Sequence, residues 1–251
     1  MEYDYIKEIL EKHGLKLKHY QSTESTMDTI KELIDYHNDC YFVISDCQIK
    51  GKGRRGNIWH SPKGNVYISF NLNMQKDMSN YFIYNIATSI SISKMLDNIC
   101  NVKSKIKWPN DIKINGKKIS GIMTEVLKLD DKNHIIIGFG INVESSPKIN
   151  EYPTTYTKEI NPKSDIKNII SLFIKYFFNY YSKIQDYDYE LILNEYKNKL
   201  LYLNENINLQ IDDSIIVNAK FEDINLDGSM KINKNGSVQN VYSARILNDR
   251  N

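Results

Sequence analysis

The sequence predicts an α+β fold, a mixed β-sheet flanked by helices and followed by a small unit made of strands alone. Three observations carry this. Helical and strand-like segments alternate over residues 1–202. An Asn115-Gly116 pair joins two strand-like runs, the signature of a type I′ hairpin. Five short strands crowd into residues 203–251, a density that suggests a small SH3-like barrel set off as its own domain.

The elements follow in order. Tyr3 to Lys12 is amphipathic and stops at Gly14, so it reads as a helix. Leu15 to Tyr20 alternates as a strand. Ser25 and Thr26 suit a helix start, their hydroxyls capping free N–H groups of a helix that runs to about His37. Tyr41 to Ile49 is a strand leading directly into a glycine-rich loop. Val66 to Asn73 alternates Val66, Ile68 and Phe70 with Tyr67, Ser69 and Asn71. Tyr81 to Ile99 carries Phe82, Ile86, Ile90 and Met95 near helical spacing. Lys105 to Trp108 is a brief strand ended by Pro109. Asp111 to Ile114 and Lys117 to Leu127 flank the Asn-Gly turn. Ile135 to Val143 is an apolar strand interrupted by Gly138 and Gly140, where a ligand can pass close to the backbone. Pro147 to Pro162 reads as irregular. Helices are expected over Lys163 to Ile184 and Tyr187 to Leu201, then strands at 207–211, 215–221, 228–232, 237–241 and 244–247 with turns at Asp227-Gly228 and Asn235-Gly236.

Composition narrows the function. A chain of 251 residues, 41% hydrophobic and 25% charged, has the balance of a globular protein. Net charge is +2, so no global basic field draws nucleic acid to it. Three cysteines, Cys40, Cys47 and Cys100, lack CxxC spacing, and five histidines lack metal-ligand spacing. They read as free thiols in a reducing compartment, with no protein-built metal site. No signal-peptide core opens the chain and no apolar run is long enough to span a bilayer, so a cytoplasmic location is expected.

Against that neutral background the loop Gly51-Lys52-Gly53-Arg54-Arg55-Gly56 is local and basic. Glycines permit positive φ and close approach, successive N–H groups can line an anion cradle, and arginine grips phosphate bidentately. Trp59 can present an aromatic face nearby. A second stretch, Lys107-Trp108-Pro109-Asn110-Asp111, sets a rigid apolar corner before two polar side chains. Taken singly, each motif also has a plain structural reading. Asn110 can be a turn residue, Lys118 a solvated strand lysine, Ser25-Thr26 a helix cap, and Gln48 a surface strand end.

In combination, Ser25-Thr26, Gln48 through Trp59, Lys107 through Asp111, Lys118 through Gly121 and Gly138-Phe139-Gly140-Ile141-Asn142 closely resemble the bacterial-type biotin–protein ligases. The matched stretch runs from about Gly14 to Val143. The resemblance implies a class II synthetase-like catalytic domain of biotin/lipoate ligase type over 1–202 and the SH3-like domain over 203–251. With about fourteen residues ahead of that core, the chain resembles the ligase-only members, without the winged-helix DNA-binding module of the ligase-repressors.

The activity implied is ATP-dependent activation of biotin to biotinyl-5′-AMP, then transfer to a lysine of a biotin carboxyl carrier protein or domain. The resemblance assigns Ser25, Thr26 and Gln48 to the biotin ureido ring, with Gly51, the Lys52 main chain and Gly121 enclosing it. Arg54 and Arg55 serve the phosphate side, and Trp59 shields the adenylate. Lys118 contacts both the biotin carboxylate and the α-phosphate. Asn110 holds phosphate or Mg²⁺, Asn142 reads the adenine edge, and Asp111 orients the incoming lysine. Mg²⁺ arrives with ATP and keeps several waters. The chain departs from the family's loop at Lys52 and Asn57, where arginines are usual, and Asn57 removes a cation from the phosphate end. A monomer and a homodimer both remain open. Two other readings stand beside this one: a lipoate– or octanoate–protein ligase of the same fold, and a small RNA-binding protein using the basic loop with Trp59 and Tyr67 as stacking platforms.

Overall fold

The structure is a computed structural model that describes residues 3–37, 39–74, 81–129, 132–211 and 215–248. In chain order it forms α1 (Asp4–Lys12), β1 (Leu15–Tyr20), α2 (Thr26–His37), β2 (Cys40–Ser45), β3 (Val66–Met74), α3 (Phe82–Cys100), β4 (Lys105–Lys107), β5 (Asp111–Ile114), β6 (Lys117–Leu129) and β7 (Lys132–Ile141). Then come α4 (Thr157–Ile160), α5 (Ile166–Gln185), α6 (Tyr189–Lys199), β8 (Asn206–Ile211), β9 (Ile215–Ile224), β10 (Met230–Lys234), β11 (Ser237–Val241) and β12 (Arg245–Ile246).

The first seven strands make one mixed sheet in the order β1-β2-β3-β7-β6-β5-β4. Only β1 and β2 run parallel, and antiparallel ladders join the rest. The β5–β6 hairpin turns where the sequence places it, with φ of 50° at Asn115 and 77° at Gly116. On one face lie α1, α3, α5 and α6, whose apolar residues merge with the sheet in a single core. An aromatic cluster sits at its centre: Phe173 packs on Phe139 at 4.4 Å between ring centroids, and Phe177 on Phe70 at 4.8 Å. On the opposite face α2 sets Met27, Ile30 and Ile34 against Tyr41, Val43 and Ile136. Cover on both faces explains why β3 is buried from Val66 to Leu72 instead of alternating in and out.

Some expectations needed correction. The second strand ends at Ser45, because the Ser45 hydroxyl donates to the Cys47 carbonyl at 2.6 Å and turns the chain. Gln48 then meets Thr23 only through an isolated bridge. The Ser25 hydroxyl does not cap α2. The Ser25 carbonyl accepts the Asp28 and Thr29 N–H groups while the hydroxyl has no partner among the described residues. The segment expected to be irregular holds α4, whose first N–H groups donate to the Asn142 and Val143 carbonyls at 3.0 Å.

The last five strands form one sheet in the order β11-β10-β9-β8-β12. Among the described residues no pairing joins β11 to β12, so this sheet is open where a closed barrel was expected. It is anchored to the first unit by the Trp108 indole N–H, which donates to the Gly228 carbonyl at 2.9 Å. Gly228 has a φ of 82°, and a Cβ there would stand 2.2 Å from the Phe82 ring, so glycine is required twice over. On the other side Asp97 of α3 accepts from the Ser104 backbone and hydroxyl, at 2.7 and 2.6 Å, and also from Lys199 of α6. That carboxylate holds α6 against the start of β4. No helix among the described residues is long and apolar enough to cross a membrane.

Truncating the aromatic centre tests this packing. Phe173→Ala should lower unfolding stability by about 3–5 kcal/mol, the usual range for emptying a buried aromatic site. Urea unfolding should show this as an earlier midpoint with little change in slope. A loss below about 1 kcal/mol would mean that Phe173 is not at the centre of the core.

Candidate active site

The middle of the large sheet has a gap without side chains where Gly121 of β6 lies opposite Gly140 of β7, flanked in register by Tyr67 of β3 and Asp111 of β5. Trp59 fills the hollow these two glycines leave. A Cβ on Gly140 would fall 2.1 Å from Trp59 Nε1, and one on Gly121 would fall 3.0 Å from its ring. Glycine at both places is therefore a condition of seating the loop on the sheet.

Beside this row opens a cavity of about 930 Å³. Among the described residues its wall carries eight lysines and arginines against two carboxylates, Asp111 and Glu151. Such a concave cationic surface concentrates an anionic ligand, even though the whole chain is nearly neutral. The loop, the Trp-Pro-Asn-Asp turn and the Lys118–Gly121 stretch all contribute to this one cavity, although far apart in sequence.

The loop holds its shape differently from the simple expectation. Of its three glycines only Gly56 takes a positive φ, 74°, and Arg55 joins it at 55°. Gly51 is glycine for close approach, since a Cβ there would stand 2.3 Å from the Trp59 carbonyl. The N–H groups of Gly53, Asn57 and Trp59 donate within the loop, to Asn57, Arg54 and Gly51 carbonyls. These bonds close the loop on itself. Asn57 braces it, its amide donating to the Arg54 carbonyl at 2.9 Å.

Four of the cavity's cations have distinct settings. Lys52 reaches Asp28 of α2 at 2.5 Å. Arg55 donates to Ser243 Oγ, between β11 and β12, at 2.7 Å. Arg54 turns inward and donates to Asn110 Oδ1 at 3.3 Å, while the Asn110 amide donates to the Ile122 carbonyl at 2.8 Å. Burial, followed by the Arg55 charge, pulls the Arg54 guanidinium below its ordinary pKa, with Asp111 and Tyr196 opposing. Lys118 pairs with Asp111 at 2.7 Å, and its side chain is only 14% exposed. Its Nζ lies 5.4 Å from the Trp59 ring and 5.3 Å from that of Tyr152, a cation held between two aromatic faces.

At the other end, Thr26 and Gln48 form a closed set. Gln48 Oε1 accepts from Thr26 N at 2.8 Å and from Thr26 Oγ1 at 3.0 Å. The Gln48 amide donates to Ser61 Oγ, and Ser69 Oγ donates to Thr26 Oγ1. Ser25 differs. Its hydroxyl is buried at the cavity wall with no partner among the described residues, and so is Trp59 Nε1. Buried polar atoms without partners are costly, and a hydroxyl of this kind on a residue lining the cavity suits a polar ligand.

Most of the residues singled out from sequence meet here, with two exceptions. Gly51 packs behind Trp59 and does not line the cavity. Asn142 is buried, donates to the Thr155 carbonyl at 3.0 Å, and borders a small side cavity with Trp59, Lys118 and Tyr152. Sequence reasoning missed Tyr152, which sits in a segment without periodicity. It also missed Lys113, although alternation along β5 sets it two residues from Asp111. Arg245 and Gln210 bring the second sheet to the cavity wall.

Residues 19–142 match the model of the Biotin/lipoate A/B protein ligase family. Biotin–protein ligase 2 of Arabidopsis thaliana is 30% identical over 177 residues, covering 65% of this chain and 52% of the relative. The bifunctional ligase/repressor BirA of Bacillus subtilis is 27% identical over 243 residues, covering 93% of this chain and 74% of BirA. The chain thus spans about half the length of the plant relative and three quarters of the bacterial one. The biotin protein ligase of Aquifex aeolicus, solved in complex with biotin and ATP, superposes with a TM-score of 0.78 at 26% identity, over 92% of this chain and 98% of that one. Sequence match and fold agree, and the chain carries a domain of the Biotin/lipoate A/B protein ligase family.

Proposed function

We propose that the chain is an ATP-dependent biotin–protein ligase. The observation that carries this is the convergence of Ser25, Gln48, Arg54 and Lys118, from three separate stretches, on one cationic cavity. The relatives with biotin in their names support biotin over lipoate, and a basic surface confined to a cavity does not favour RNA.

In the first step a biotin carboxylate oxygen attacks the α-phosphorus of ATP and pyrophosphate leaves. Two anions must meet, and a fixed ammonium between them offsets their repulsion and stabilises the charge that develops at phosphorus. Lys118 has that role. Its pairing with Asp111 and its aromatic neighbours hold Nζ at the cavity wall, so little reorganisation is needed. Arg54 adds a second cation on the phosphate side, braced by Asn110. Arg55 lies further out, Asn110 also helps to hold phosphate or Mg²⁺, and Asn142 serves the adenine end through the side cavity. Mg²⁺ comes with ATP.

Ser25 offers its free hydroxyl to the ureido ring, with Thr26 and Gln48 as the polar wall behind it and Gly51, Lys52 and Gly121 shaping the enclosure. In the second step the acceptor lysine amine attacks the acyl carbon and AMP leaves. Asp111 then orients the incoming amine and accepts its proton. The acceptor is a biotin carboxyl carrier domain. We place the division between catalytic and C-terminal domains near residue 202 and read the open five-stranded sheet as an SH3-like unit. We also propose that the loop tightens over the bound adenylate, with Trp59 excluding water.

Biotin-dependent exchange of pyrophosphate into ATP tests the reading, and exchange with lipoate but not biotin would overturn it. Lys118→Ala should slow exchange by about 100-fold or more, the usual cost of removing one preorganised charge-stabilising group. Its unfolding midpoint should stay close to that of the parent, and near-normal exchange in the folded variant would remove Lys118 from the mechanism. Arg54→Ala should either form adenylate slowly or release it to label nearby lysines without selectivity, and neither effect would mean that the cation lies elsewhere. Protease cleavage within residues 51–60 should slow when biotin and ATP are both present. Equal cleavage rates would exclude closure of the loop.

A further inference from the structure

Lys113 of β5 is only 3% exposed, yet it lines the central cavity. A buried ammonium is costly to desolvate, so its place in the fold calls for a reason. Alternation sets its direction. Ile112 and Ile114 turn into the helix-covered core, which leaves Asp111 and Lys113 on the opposite, cavity-lining face of the strand. A bulge then fixes what stands across from it. Between β5 and β6 the register shifts from Ile112↔Ser120 to Lys113↔Lys118, with Ile119 as the extra residue. Without that shift Lys113 would face Ile119. Like charges directly across a ladder are unfavourable. Here the sheet sets two lysines opposite each other on the wall of one cavity, an arrangement that suits an anion spanning both. A third cation comes from the second sheet. Arg245 of β12 stands in register with Gln210 of β8, and both line the same cavity.

The order of the strands says which part of the ligand this is. Displacement at phosphorus sets the attacking and leaving oxygens on opposite sides. Ser25 and Gln48 line the cavity beside α2 and β2, whereas Lys113 lies on β5. In the sheet, β2 and β5 stand on opposite sides of the β7–β6 pair that carries Gly140, Gly121 and Lys118. Building on the ligase reading, we infer that Lys113 and Arg245 receive the pyrophosphate that leaves the α-phosphorus. As the biotin carboxylate oxygen bonds to that phosphorus, the bond to the oxygen bridging the α- and β-phosphates breaks, and its electron pair stays on the pyrophosphate. Lys118 meets the charge at the reaction centre. Lys113, one strand further from the biotin end, meets the charge that develops on the leaving group. The planar fork of Arg245 adds a contact that can hold two phosphate oxygens at once.

The test uses the full chain with Lys113→Met, which removes the charge but keeps a long side chain, and with Arg245→Ala at an exposed position. In biotin-dependent exchange, the pyrophosphate concentration giving half the maximal rate should rise about tenfold in each, the effect of one hydrogen bond to a charged group. Transfer from added biotinyl-5′-AMP, which carries no pyrophosphate, should stay close to that of the parent. Lys105→Met should alter neither, since Lys105 is an exposed residue in register with Lys113 but outside the cavity. Parent-like pyrophosphate dependence in either folded variant would overturn the inference. So would an equal loss in exchange and in transfer, which marks damage to the whole site. If Lys113→Met does not fold, Arg245→Ala decides. Inorganic pyrophosphate alone gives a readout without chemistry: it should raise the unfolding temperature of the parent, and raise it less in both variants. If the parent performs no exchange but both variants weaken that shift, the ligase reading falls and the anion subsite stands. If the parent neither exchanges nor responds to pyrophosphate, both fall.

Discussion

Everything at the site depends on a place where the large sheet has no side chains. Gly121 and Gly140 face each other across the β6–β7 ladder, and the hollow they leave admits the Trp59 ring. Once Trp59 is seated, the rest of the loop follows by short connections. Gly51 can lie against the Trp59 carbonyl, Arg54 is turned toward Asn110, and Lys118 gains one of the two aromatic faces beside it. A single methyl on Gly140 would break this chain at its first link. The glycines thus act less as flexible joints than as missing volume, and the electrostatics of the cavity depend on that volume.

The charge arrangement follows from the same frame. Eight cations on one cavity wall repel one another, and the fold keeps them in place by giving several a partner. Lys118 has Asp111, Lys52 has Asp28, and Arg55 has the Ser243 hydroxyl in the connection between β11 and β12. Among the described residues the Arg54 guanidinium has the neutral Asn110 as its hydrogen-bond partner, with Asp111 acting on it through its charge. Such a site is preorganised for negative charge and remains partly unsatisfied until that charge arrives. The Ser25 hydroxyl, buried at the cavity wall without a partner among the described residues, expresses the same incompleteness.

Much of this was legible in the sequence, because the informative features are local. Asn115-Gly116 dictates its own turn, and alternation and helical spacing located nearly every element. The glycine–arginine loop and the Trp-Pro-Asn-Asp turn marked two walls of the site before any geometry was known. What stayed hidden depends on long-range contact. Thr26 and Gln48 look like separate ligand contacts in sequence, yet they bond to each other. Tyr152 has no motif around it, and only packing brings it to Lys118. The open second sheet was also illegible, since five short strands announce pairing but not closure.

The central claim is that Lys118 is the cation at which two substrate anions meet. A crystal structure with biotin and a non-hydrolysable ATP analogue tests it most directly. The account predicts Lys118 Nζ within hydrogen-bond distance of both the biotin carboxylate and the α-phosphate, with its contact to Asp111 lengthened or lost. Finding both ligands bound while Lys118 still pairs only with Asp111 would contradict it.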